Sequence, residues 1–230
     1  MLHRHWVSWV FSACLGVVPA LQTATAATAP APSTAEAQPL NTAPLQSSTQ
    51  AAIQALTLAN AAVVGVNVKA TDNAQSVQTL GTDRRGSGVV IDASGLILTI
   101  GYLMLEAEQV SIITQDNKVL PARAVAYDLA TGFGLLQPLL PLRVAPVKLG
   151  SYNDVQESEP LMASTGGGDG DVAMTQLVSK RKFSGYWEYH IEQALFTSPP
   201  INNHSGAPLF NRKGELVGIG SLFVMDATGQ

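Results

Sequence analysis

The sequence predicts an all-β protein, a barrel or sandwich, and three observations carry that expectation. From Ala61 onward, short apolar runs recur at intervals of roughly ten residues, separated by turn residues. Gly86-Ser87-Gly88-Val89-Val90-Ile91 and Leu96-Ile97-Leu98-Thr99 flank the turn Asp92-Ala93-Ser94-Gly95, the pattern of a hairpin. The same grammar resumes after 138–146, a stretch whose three prolines exclude a central strand and mark a bridge between two lobes.

In chain order, residues 1–26 read as a secretory signal. His3, Arg4 and His5 give a weakly basic start, Val7 to Leu21 an apolar core and Ala24-Thr25-Ala26 a small-residue cleavage site. The apolar stretch is short for a bilayer and is broken by Pro19, so no membrane span is expected. The single cysteine, Cys14, reads as a small hydrophobe that leaves with the signal; the rival reading is a lipoprotein anchor on Phe11-Ser12-Ala13-Cys14. Export to the periplasm or beyond is the expectation. Residues 27–49, rich in Ala, Pro, Thr and Ser, are expected to be a disordered linker. Ile53, Leu56 and Leu58 then suggest a short helix over 50–60.

The body divides at the proline bridge into a first β unit over 50–140 and a second over 141–230. Val63–Val68, 110–114, 119–126 and 133–137 are strand candidates in the first, and 160–165, 172–178 and 189–196 in the second. Gly166-Gly167-Gly168-Asp169-Gly170 lacks a following G-K-[ST] and is expected to be a flexible turn, not a phosphate loop. Lys180-Arg181-Lys182 is expected on a solvated loop face. Phe183, Tyr186, Trp187 and Tyr189 form a local aromatic cluster, read as packing under the second unit, with a peptide platform as the alternative.

Composition narrows the function. Charges are sparse and the formal net charge is −4, which argues against nucleic acid. No Cys/His ligand cluster survives signal removal, Asp169 and Asp171 are at best a weak calcium lure, and no cofactor motif is present. The chemistry centres on Asn203-His204-Ser205-Gly206-Ala207-Pro208, a serine on a tight turn. It is followed by Gly214-Glu215-Leu216-Val217-Gly218-Ile219-Gly220-Ser221, a strand that would line a cleft.

These pieces, with Arg85 to Thr99, Tyr127-Asp128-Leu129-Ala130-Thr131 and Leu149-Gly150-Ser151, resemble the trypsin-like domain of exported HtrA-type (Do-like) serine proteases over about 61–225. The resemblance implies two six-stranded antiparallel barrels with a cleft between them, the second barrel open to being incomplete. It also implies a Ser-His-Asp triad, and two of its positions fail here. The family histidine position holds Tyr102 and the family aspartate position holds Gly132. A phenol titrates at about pH 10 and cannot take the serine proton at neutral pH. Only Ser205 keeps its identity, with Gly206 and Pro208. Asn203 stands at the oxyanion-hole glycine, where asparagine tolerates left-handed backbone best among non-glycine residues; the hole would be formed by the N–H groups of Asn203 and Ser205.

Sliding the register to use Asp128 as the acid remains an alternative. His190 is the other imidazole candidate and reads as a strand residue; His204 reads as a turn residue whose side chain points away from Ser205. The expectation is an impaired protease that binds a peptide or unfolded segment. The competing one is an active endopeptidase using Ser205 with an unorthodox base.

Overall fold

The structure, a computed structural model, describes residues 43–167, 170–184 and 190–225. The signal, Cys14, most of the linker, Asp169, and Tyr186, Trp187 and Tyr189 lie outside the described residues.

The first helix, α1, spans Ala43–Asn60 and so begins before the expected Gln50, inside the stretch read as linker. Pro44 falls in its first turn, where a missing backbone N–H costs nothing, so nothing in 43–49 obstructs the helix. Of the three apolar residues that suggest the helix, only one faces the core. Ile53 and Leu58 are exposed, while Leu56 packs against the core and Ala59 is buried. Ala52, Ala55, Leu56 and Ala59 recur at helical spacing, and small residues let the backbone sit close. In its C-terminal half α1 meets Gly214, where a Cβ would fall only 2.5 Å from the Ala55 carbonyl oxygen, so glycine is required where α1 rests on the second unit.

The first barrel is closed. β1 (Val63–Ala70), β2 (Asp83–Val90), β3 (Ile97–Ile100), β4 (Ala107–Ile113), β5 (Val119–Tyr127) and β6 (Phe133–Pro138) pair in the order β1-β2-β3-β6-β5-β4, and β4 returns to β1. A four-residue helix, α2 (Val77–Leu80), interrupts the β1–β2 connection. The hairpin is as expected: Val89 pairs Leu98, Val90 pairs Ile97, and Asp92 Oδ1 accepts from the Ser94 and Leu96 N–H groups. Val63, Val64, Val66, Val89, Val90, Ile97, Ile112 and Leu136 are essentially inaccessible and form the core.

The second sheet is open. β7 (Lys148–Leu149), β8 (Pro160–Ser164), β9 (Val172–Ser184), β10 (His190–Ser198), β11 (Pro208–Phe210) and β12 (Glu215–Ile219) run in the order β10-β9-β8-β11-β12-β7. Its own core holds Val155, Leu161, Ala163, Leu177, Leu209 and Val217. β9 is longer than expected and takes in Lys180-Arg181-Lys182, which is therefore strand and not loop. Arg181 lies over the Phe196 ring at 4.0 Å and Lys182 pairs Glu192 at 2.8 Å, both across to β10, while Lys180 donates to the Tyr152 carbonyl in the connection after β7.

The two units meet through backbone. A Cβ on Gly166 would fall 2.0 Å from the Val64 carbonyl carbon, and one on Gly65 would fall 2.9 Å from Gly167 Cα. The start of the glycine stretch is thus a close crossing of two chains, not a free turn, and only glycine fits it.

Candidate functional site

Ser205 stands where the units touch. Gly206 has φ +74°, and a Cβ there would lie 2.1 Å from the Ser87 carbonyl oxygen. The turn is pinned on both sides. The Ser205 carbonyl accepts from the Ser87 N–H on β2, while Gly206 donates to Gly220 O and Gly220 donates back to Ala207 O. Ser87 is the hub of this junction: it is buried, its carbonyl accepts from the Thr99 hydroxyl and its Oγ accepts from the Gly166 N–H. The motif that opens β2 thus fixes the serine turn from the opposite barrel.

Tyr102 reaches Ser205 from the first barrel. It rides on a single 3-10 turn, Gly101–Met104, that follows β3. Its Oη lies 2.6 Å from Ser205 Oγ and 2.9 Å from the Ser221 carbonyl oxygen. A phenol has one proton, and a carbonyl oxygen can only accept. The phenol therefore donates to Ser221, and the serine hydroxyl donates to the phenol oxygen. The group facing the Ser205 proton is neutral and a poor base, and the pair of bonds holds the hydroxyl in place.

Gly132 lies on the loop before β6 with φ +77°, and its carbonyl accepts from the Gly101 N–H at 2.7 Å. The position read as the acid's is therefore one residue from Tyr102 in contact terms, and it carries no side chain. Asp128 does not substitute for it. Its carboxylate caps its own turn, accepting from the Thr131 hydroxyl and the Ala130 N–H, and these bonds hold it below the usual carboxylate range. β6 begins at Phe133, directly after Gly132.

Asn203 has φ +54°, the left-handed geometry expected of it. Among the described residues no backbone acceptor takes the N–H of Asn203 or of Ser205. His190 sits on β10 with about half its side chain exposed; its Nδ1 is 2.9 Å from Ser184 Oγ and its Nε2 3.2 Å from Glu192 Oε1. Both ring nitrogens are engaged on the hairpin. His204 is half-buried and its backbone carbonyl closes the turn by accepting from Ala207.

Beside the serine a cavity of about 460 Å³ opens between β10 and the stretch 217–224, lined by Leu195, His204, Leu209, Val217 and Phe223 and reaching Phe133 of the first barrel. No cluster of three or more candidate metal ligands occurs among the described residues. Ser87, Ser221 and Arg84, which all bear on the site, were not singled out from the sequence. Ser87 and Ser221 lie within the quoted motifs, but their roles depend on contacts made across more than a hundred residues, such as Tyr102 to Ser221.

Known proteins bear out the architecture. The profile of the trypsin-like peptidase domain matches residues 86–219. The periplasmic pH-dependent serine endoprotease DegQ of Escherichia coli K12 is 29% identical over 147 residues, 63% of this chain and 32% of that protein. A probable periplasmic DegP-like serine endoprotease of Pseudomonas fluorescens is 30% identical over 138 residues, 59% of this chain and 29% of that protein. The chain thus spans about a third of the length of these relatives. Among solved structures, the HtrA-type protease AlgW with tripeptide superposes with a TM-score of 0.61 at 21% identity, covering 73% of this chain and 53% of that one. AlgW with decapeptide gives 0.61 at 20% identity, covering 76% and 60%. These structural likenesses speak to fold. With the profile spanning more than half of the sequence, a closed barrel beside an open six-stranded sheet and a serine turn pinned between them, the chain belongs to the trypsin-like peptidase domain family.

Proposed function

We propose that this protein is an exported trypsin-fold pseudoprotease that holds an extended peptide or unfolded segment beside Ser205 without cutting it efficiently. The observation that carries the reading is the Tyr102 phenol, hydrogen-bonded to both Ser205 Oγ and the Ser221 carbonyl, where catalysis needs a base. Loss of triad members costs about 10⁴ to 10⁶ in turnover even when the oxyanion hole remains. Peptide binding needs less: a strand edge for backbone bonds and a cavity for side chains. The open sheet edge and the apolar cavity beside the serine meet that need. Export is supported by the signal-like residues 1–26 and by the periplasmic relatives.

The endoprotease relatives favour one competing reading, a working peptidase with an unorthodox base. Two assays separate the readings. Purified protein is incubated with casein and with a fluorophosphonate probe, beside Ser205→Ala, and binding of an extended apolar peptide is followed by fluorescence anisotropy. The expected result is saturable binding, retained in Ser205→Ala, with neither serine-dependent cleavage nor labelling. Robust Ser205-dependent casein hydrolysis would falsify the pseudoprotease reading, and absence of peptide binding would remove the binding role.

A further inference from the structure

Arg84 is a charged side chain buried at the start of β2, only 4% exposed. Its Nε donates to the Gly81 carbonyl at 3.0 Å and its Nη2 to Ser76 Oγ at 2.7 Å. Its Nη1 points into three carbonyl oxygens, those of Leu105 at 2.7 Å, Tyr102 at 3.3 Å and Leu103 at 3.5 Å. These three belong to the turn that carries the Tyr102 ring and the residue just after it. A buried guanidinium is costly unless its donors are used; here Nη1 is spent on one short turn and the residue after it, and Nε and Nη2 on Gly81 and Ser76 of the β1–β2 connection.

Ser76 is the relay. It accepts from Arg84 and donates to Glu106 Oε2 at 2.6 Å, while the N–H groups of Ser76 and Gln75 bond the same carboxylate. Glu106 itself has φ +53°, and its carbonyl accepts from the Thr71 N–H. The turn is therefore gripped at both ends: Gly101 donates to Gly132 O at the start, and Arg84 collects the carbonyls at the finish. A 3-10 turn this short has almost no stability of its own, so the grip fixes where the phenol points.

We infer that Arg84 is the positioning residue for Tyr102, acting through the backbone of the 101–105 turn to keep the phenol on Ser205 and Ser221. The inference rests on the pseudoprotease reading for its functional meaning. Lysine would keep the charge but lose the planar fork, so it cannot hold Ser76, Gly81 and the turn together.

The test is NMR of the full chain labelled with ¹³Cζ-tyrosine, the Tyr102 signal being assigned by its loss in Tyr102→Phe. Ser205→Ala should displace the Tyr102 signal, which establishes the phenol–serine pair independently of Arg84. Arg84→Lys should then displace that signal at least half as far as Ser205→Ala does, while the Tyr152 signal stays. Should Arg84→Lys fail to fold, Ser76→Ala, which removes one anchor of the fork, should give a smaller displacement of the same signal. A folded Arg84→Lys protein with Tyr102 at its wild-type position overturns the inference, as does an equal shift of every tyrosine. An unmoved signal in Ser205→Ala, in contrast, sinks the pairing on which the functional reading stands.

Discussion

Replacing Tyr102 by histidine would set an imidazole on the 3-10 turn, facing a serine whose turn geometry is already in place. The base would still have no carboxylate to fix its tautomer, because Gly132 presents only backbone there. In serine proteases loss of that carboxylate alone costs about 10⁴ in turnover. Tyr102→His is therefore expected to leave casein hydrolysis at least about 10³-fold below that of a complete triad enzyme. Adding Gly132→Asp supplies the acid in a left-handed backbone, φ +77°, which costs an L-residue about 1–2 kcal/mol. The double variant should melt lower than the single one and cleave faster. Equal rates from the two variants would show that Gly132 is not the acid position. The other glycine at the site is as constrained: Gly206→Ala would drive a Cβ to 2.1 Å from the Ser87 carbonyl oxygen and break the turn that presents the serine.

At the scale of elements, the loop 71–82 between β1 and β2 is tied to the start of β4 by Glu106. Its carboxyl is held below the usual range, chiefly by the Ser76 hydroxyl, then by the Ser76 N–H. A carboxyl whose folded pKa lies below its unfolded value stabilises the fold above the unfolded pKa, about 4.3 for glutamate. That contribution disappears as pH falls through the lower, folded value. Thermal melts of wild type and Glu106→Gln should differ at pH 7 and converge as the pH drops below about 4. A gap that widens on acidification would contradict the assignment. Hydrogen bonds and not the Arg84 charge dominate the shift, so added salt should change the gap little. The helix α1 is a second element held by a local device, since only glycine at 214 lets the Ala55 backbone approach.

Over the whole molecule, the legible and the illegible parts of the sequence separate by range. The hairpin β2–β3 could be read because its turn residues are adjacent, with Asp92 capping Ser94 and Leu96. Family motifs supply the register from which Ser205, Tyr102 and Gly132 are read as the triad positions, and of these Tyr102 and Ser205 are in contact. The face α1 buries is not marked by its large apolar residues, because Leu56 and Ala59 pack inward while Ile53 and Leu58 are exposed. Arg84 and Ser221 were invisible because carbonyl acceptors leave no mark in a sequence. The basic run on β9 reads as loop because its partners, Glu192 and Phe196 on another strand and the Tyr152 carbonyl, are distant in sequence or leave no mark in it. The first barrel closes on itself, so its strands have ladder partners on both sides, whereas β10 ends its sheet. Opening β1 or β2 must disrupt the common core, but the outward N–H groups of β10 can meet water without it. Residue-resolved hydrogen exchange should therefore show amides of Val64, Val66 and Val89 at least about 100-fold slower than the unladdered amides of β10. Extended peptide added at saturation should slow the β10 edge or the 220–224 stretch and leave β1 unchanged. Protection of β10 equal to that of β1 without peptide would mean that the edge is already covered, and the strand-addition mode would fall with it.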